Sequence, residues 1–260
     1  MKAYINHHLF TEQPLDSGAL TMACSIVHNF PEPGAYTGSV LIGNQVDSIF
    51  HLAVDETYPA MQVVIDLAET GRAKSGECAC GTGREKGQHF EINPKGFVVF
   101  YVSGGAGGYA VKVSGKLKSS ERLAQFDSRE LMAGDMFTVS LLRPGTHTLT
   151  NSTGAKGKIV VAYPGSKKGK ELFNRAKPIE VRCTDKEFIP KEIEAQAAQG
   201  QVYRIETKAS SRIKIELAKG DDGPKVERST SIFKWNKPPR PKASSAKPAP
   251  GQSTKSAPKK

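Results

Sequence analysis

The 260-residue chain carries 37 Lys or Arg against 26 Asp or Glu, a net charge of +11, with 38% hydrophobic and 24% charged residues. Residues 234–260 hold eight of those cations and no acid, so this tail carries +8 and residues 1–233 only +3. The division excludes a uniformly basic nucleic-acid-binding body, and no apolar run approaches the roughly 20 residues a membrane-spanning helix needs.

At the amino terminus, Asn6, His7 and His8 interrupt the apolar positions, so residues 1–10 do not read as the apolar segment of a signal peptide. The expectation is a cytoplasmic protein whose Cys24, Cys78, Cys80 and Cys183 are thiols, and in which the sequon at Asn151 has no role. Runs rich in Val, Ile, Phe, Tyr and Thr predict strands at 20–27, 35–42, 48–54, 61–67, 89–92, 97–103 and 109–114. The same pattern continues at 136–142, 146–151, 157–163, 179–183, 201–207 and 212–217. Turn residues punctuate these runs at 31–34, 44, 104–108, 143–145 and 220–223, and the glycines of 104–108 read as a hairpin tip. One helix is expected at 190–199, opened by Pro190 and stopped by Gly200, with connectors at 119–129 and 167–177. Together these predict an all-β protein: a β-sandwich region over 1–165, a linker over 166–178 and a small cupredoxin-like or immunoglobulin-like β module over 179–230. A disordered tail rich in Pro, Lys, Ala and Ser follows over 231–260.

After Trp235 the tail's only apolar side chains are alanines, and six of the sixteen prolines lie in it. It buries too little surface to offset the entropy of ordering. Lys234, Lys237, Arg240, Lys242, Lys247, Lys255, Lys259 and Lys260 are the residues expected to attract an anionic partner: a nucleic acid, an acidic protein or an anionic surface. The competing reading is a self-repelling, solubilising tail. The stretch Lys237-Pro-Pro-Arg240 also suits the aromatic-lined groove of a protein partner.

Two stretches read as copies of one another. Phe126 is followed by Leu131, Gly134, Phe137 and Val139, and Phe188 by Ile193, Gly200, Tyr203 and Ile205. Phe188-Ile-Pro190-Lys-Glu-Ile193 resembles the opening hairpin of the cupredoxins, and the strand from Gly134 to His147 resembles the one that leads to their first histidine ligand. The resemblance implies a cupredoxin-like β-sandwich. It does not bring the copper set with it, because no histidine follows His147, no methionine follows Met136, and Cys183 stands alone.

The candidate metal ligands are Cys78, Cys80 and His89, two thiols and an imidazole suited to Zn or Cu, with Cys24 and His28 able to complete a site only if folding brings them near. Side chains two apart on a strand point to opposite faces, which argues against Cys78 and Cys80 converging there. His147 reads as a strand or turn residue. Residues 81–87 and 104–108 lack the spacing of a nucleotide-binding loop, and no nucleophile motif is present. The function expected is therefore a non-catalytic binding or structural protein without a resident cofactor. A soft-metal protein and an unrecognised hydrolase or transferase are the alternatives.

Overall fold

The computed structural model describes residues 13–70, 87–105, 107–117, 123–163 and 177–221. Among these residues the chain is all-β, with seventeen strands in three sheets and no helix. In chain order the strands are β1 (Leu15–Asp16), β2 (Cys24–His28), β3 (Gly34–Ile42), β4 (Gln45–Val54), β5 (Gln62–Asp66), β6 (Gln88–Ile92), β7 (Phe97–Tyr101), β8 (Tyr109–Leu117) and β9 (Leu123–Asp127). They continue as β10 (Met136–Ser140), β11 (Gly145–Asn151), β12 (Lys156–Ala162), β13 (Ile179–Cys183), β14 (Phe188–Ile189), β15 (Glu192–Gln196), β16 (Gly200–Ile205) and β17 (Ile213–Gly220).

Two five-stranded sheets, β6-β4-β3-β8-β9 and β15-β12-β11-β17-β1, accompany a seven-stranded sheet ordered β14-β13-β16-β10-β2-β7-β5. Each smaller sheet packs on the larger one. Phe50 of β4 meets Phe100 of β7 with ring centroids 6.1 Å apart, and the Asn151 amide of β11 donates to Cys183 Sγ of β13 at 3.4 Å. From β4 to β7 the chain winds as a solenoid, alternating between sheets so that β4 pairs in parallel with β6 and β5 with β7. The same winding recurs later, with β12 parallel to β15 and β13 parallel to β16.

That recurrence extends to the whole body. Exchanging β1–β8 with β9–β17 (β14 standing apart) maps one five-stranded sheet onto the other and the seven-stranded sheet onto itself, about the antiparallel β2–β10 pair at its centre. Residues 15–37 and 126–148 align without a gap, sharing Asp16/Asp127, Ser17/Ser128, Leu20/Leu131, Pro33/Pro144, Gly34/Gly145 and Thr37/Thr148. The hydrogen bonds repeat with the residues. Ser17 Oγ accepts from Ile213 N at 3.0 Å, and Ser128 Oγ from Val111 N at 2.9 Å. Asp16 and Asp127 each accept from the backbone N–H two residues on. Leu20 bridges to Tyr109 and Leu131 to Ser211, and both leucines are fully buried. The body is thus an internal duplication whose first strands are exchanged, since β1 pairs with β17 of the second copy and β9 with β8 of the first.

Several expectations are corrected by this architecture. Residues 190–199 contain strand β15 in place of a helix, because Ile193 and Ala195 alternate inward between exposed Glu192 and Glu194, a period of two that no helix has. The connector expected over 119–129 contains β9, whose Phe126 is buried against Phe100. The glycines of 104–108 are not a hairpin tip, since β7 and β8 lie in different sheets and Gly108 N donates to Leu20 O at 2.9 Å. At Gly107 the φ is +81°, and a Cβ would lie 2.9 Å from Thr21 Cγ2. Phe126–Val139 and Phe188–Ile205 are not equivalent copies: β10 and β16 are neighbours, with Phe137 paired to Tyr203. A boundary near 165 does not divide the sheets either, because β13 and β16 share a sheet with β2 and β7. One compact unit spans Met1–Pro224, and a second, Lys225–Lys260, holds the basic tail and lies outside the described residues.

Candidate functional site at the junction of the copies

The β2–β10 ladder joins the two copies, and its two ends differ chemically. At one end Cys24 of β2 pairs with Val139 of β10. At the other, the equivalent places hold His28 and Asp135, and the His28 Nδ1–H donates to Asp135 Oδ1 at 2.6 Å. Asp135 Oδ2 accepts from Met132 N at 2.7 Å. In the matching turn Cys24 Sγ accepts from Thr21 N at 3.1 Å, so a carboxylate has taken the place of a thiol within one local geometry. The His28 ring stacks on Phe126 at 4.0 Å and meets the edge of Phe30 at 4.4 Å. With Nδ1 committed to the carboxylate, the imidazole is fixed in one orientation and Nε2 is left as its second polar atom.

On the opposite face of the same strands lies an open cleft of about 580 Å³, lined by Phe97, Ala133, Gly134, Met136, Arg204, Ile205 and Glu206. Gly134 and Met136 flank Asp135, and Phe97 precedes Val98, the partner of His28 across β2–β7. Met136 and Arg204 are opposite one another on β10 and β16. Glu206 is held by Arg182, whose Nε and Nη2 reach its carboxylate at 2.9 and 2.7 Å. Those hydrogen bonds, aided by the charges of Arg182 and Arg204, hold the Glu206 carboxyl below its usual range against the opposing effect of desolvation. Among the described residues no hydrogen bond or ion pair engages Arg204, whose exposed side chain lines the cleft and acts on Glu206 through its charge alone. The positions equivalent to Phe97, Met136, Arg204 and Glu206 are Gly200, Ser25, Tyr101 and Ser103, so this lining belongs to one copy of the junction only.

Of the residues singled out from sequence, those that are described do not converge. Cys78 and Cys80 lie outside the described residues, as do Lys234, Lys237, Arg240, Lys242, Lys247, Lys255, Lys259 and Lys260. His89 is exposed on β6 and stacks on His51 of β4, its register partner, at 4.7 Å. Cys24 turns to Thr21 and His28 to Asp135, so these two do not converge, and burial pushes the Cys24 thiol up. Cys183 is likewise buried, with its pKa raised chiefly by desolvation. His147 lies buried in β11 with Nε2 donating to Arg143 O at 3.0 Å. Among the described residues no three His, Cys, Asp or Glu side chains are grouped to hold a metal ion. No family model, curated protein or solved structure matches the chain.

Proposed function

We propose that this is a non-catalytic binding protein: a duplicated β body that presents one recognition cleft at the junction of its copies, carrying a cationic tail that adds weak attraction to polyanions. The observation that carries this reading is the cleft itself, in which the exposed Arg204, without a hydrogen-bond partner among the described residues, lies beside Phe97 and Met136, while His28 and Asp135 hold each other on the opposite face of the strands. Concave, mainly apolar surfaces with a few converging polar groups are the usual form of ligand sites. For the tail, retention on heparin is expected to fall steeply with salt and to disappear when residues 234–260 are deleted. Unchanged retention after the deletion would remove the tail from the proposal.

A second reading is favoured by one contact. His51 beside His89 adds an imidazole to the soft-metal set of Cys78, Cys80 and His89. Metal analysis of the purified protein, with and without Cys78→Ser, Cys80→Ser and His51→Ala, decides it. Stoichiometric Zn or Cu lost in those variants supports this reading, and its absence from the parent protein ends it.

A further inference from the structure

Resting on the binding reading above, we infer that the junction cleft takes a small organic monoanion with an apolar body, such as an arylalkyl carboxylate. Three features argue for this chemistry together. Arg204 supplies the cation, a guanidinium without hydrogen-bond or ion-pair partner among the described residues, and a planar guanidinium matches a carboxylate through two parallel hydrogen bonds. Phe97 and Met136 supply apolar contact on the walls, and Phe97 keeps 44% of its surface exposed, so its ring is available to a ligand. Glu206, hydrogen-bonded to Arg182 and acted on by the charges of both Arg182 and Arg204, leaves this group of three one positive charge in excess, which suits one added negative charge and disfavours two. The volume, about 580 Å³, lies within the range of small-molecule sites.

The duplication sharpens the argument. A cleft that merely followed from the fold would carry similar side chains at both equivalent places. Here the side chains of Phe97, Met136, Arg204 and Glu206 are present once, their counterparts being Gly200, Ser25, Tyr101 and Ser103, and only Ile205 has a like counterpart, Val102. The two ends of the β2–β10 ladder have diverged on both faces, His28 and Asp135 behind the cleft and Phe97, Met136 and Arg204 within it. The carboxylate–imidazole pair fixes the turn that contributes Gly134 and Met136, through the hydrogen bond from Met132 N.

The test compares three probes that differ only in their head group: 3-phenylpropionate, 3-phenylpropanol and 3-phenylpropylamine, titrated into the full chain with amide shifts as the readout. Saturable shifts centred on β10 and β16 are expected with the acid, at an affinity at least about tenfold above the alcohol, and the amine should bind more weakly still. Arg204→Gln, on an exposed side chain, should bring the acid down to the level of the alcohol, and Phe97→Ala should weaken both. A variant with Lys255, Lys259 and Lys260 changed to Gln should keep the acid's affinity. Equal binding of acid and alcohol, or an Arg204→Gln protein that holds the acid unchanged, would overturn the inference. If the acid fails to bind while salt-sensitive heparin retention persists, only this inference falls. If both are lost, the binding reading falls with it.

Discussion

Tyr36 and His147 occupy the same place in the two copies, and their neighbours have changed to suit them. Tyr36 lies across from Gly115, where a Cβ would come within 2.3 Å of the ring. His147, the smaller ring, faces Leu217. Both rings bond back four residues, Tyr36 Oη donating to Glu32 O at 2.6 Å and His147 Nε2 to Arg143 O at 3.0 Å. Burial pushes the tyrosine up to about 12, so it stays a donor across the whole working range. The histidine has no such margin. Desolvation, only partly opposed by the Arg143 carbonyl, lowers its pKa from 6.5. The unfolded chain therefore takes up the proton first, and stability falls as pH drops below about 6.5 until the folded-state value is passed. Urea midpoints measured between pH 7.5 and 5 should show that loss, and His147→Tyr combined with Leu217→Gly should remove its share. His147→Tyr alone should cost about 1–3 kcal/mol from overpacking against Leu217. A pH slope unchanged in the double variant would assign the effect to other groups.

At the scale of the strands, the compensation crosses a hairpin. In the first copy Gly38 of β3 pairs with Phe50 of β4, and a Cβ on Gly38 would lie 2.0 Å from the ring. In the second copy the sizes are reversed, Leu149 of β11 facing Gly157 of β12. Gly38→Leu should therefore be severely destabilising alone, while Gly38→Leu with Phe50→Gly should recover stability measurable by denaturant midpoint. No recovery would mean that the two hairpins bury their large side chain in non-equivalent space. Ser17 and Ser128, each wholly buried and each closing an exchanged strand, offer a matched pair. Replacing either by Ala should cost about 1–3 kcal/mol, and by similar amounts, because each leaves one buried backbone N–H without its acceptor.

Much of this organisation was legible in the sequence. Residues 179–183 read as a strand and are one, because Ile, Val and Cys alternate there with Glu and Arg. β15 was obscured because Pro190 and Gly200 imitate helix ends, although Glu-Ile-Glu-Ala already carried the period of two. The duplication was readable in Asp-Ser-x-x-Leu and Pro-Gly-x-x-Thr, but few identities spread over a long offset do not stand out beside a nearer, accidental likeness. The cleft was not legible. Phe97, Met136 and Arg204 are ordinary alternating residues of three strands, and His28 and Asp135 meet only because the central ladder sets two distant segments in register.

For the whole body, exchanged strands and a shared central sheet predict a single cooperative unit in place of two independent halves. Leu20→Ala and Leu131→Ala each remove a fully buried side chain, at about 2–5 kcal/mol. Either should lower hydrogen-exchange protection in β7 and β16 alike, although each leucine sits in one copy only. Loss of protection confined to the mutated copy would show that the halves open separately. The balance of charge belongs to this scale too: a body near neutrality and a tail of +8 predict that salt affects partner attraction far more than folding.

The exchange of β1 also bears on how the protein is made. Leu15 and Asp16 pair with Ile215 and Lys214, so β1 leaves the ribosome about 200 residues before its partner. While the intervening residues are made β1 has no ladder to join, whereas β9 finds β8 already in place. Domains commonly fold from the amino end as they emerge. This body can fasten β1 only after β17 has been made, and a chain stopped between them would keep an open sheet edge where the two should have met.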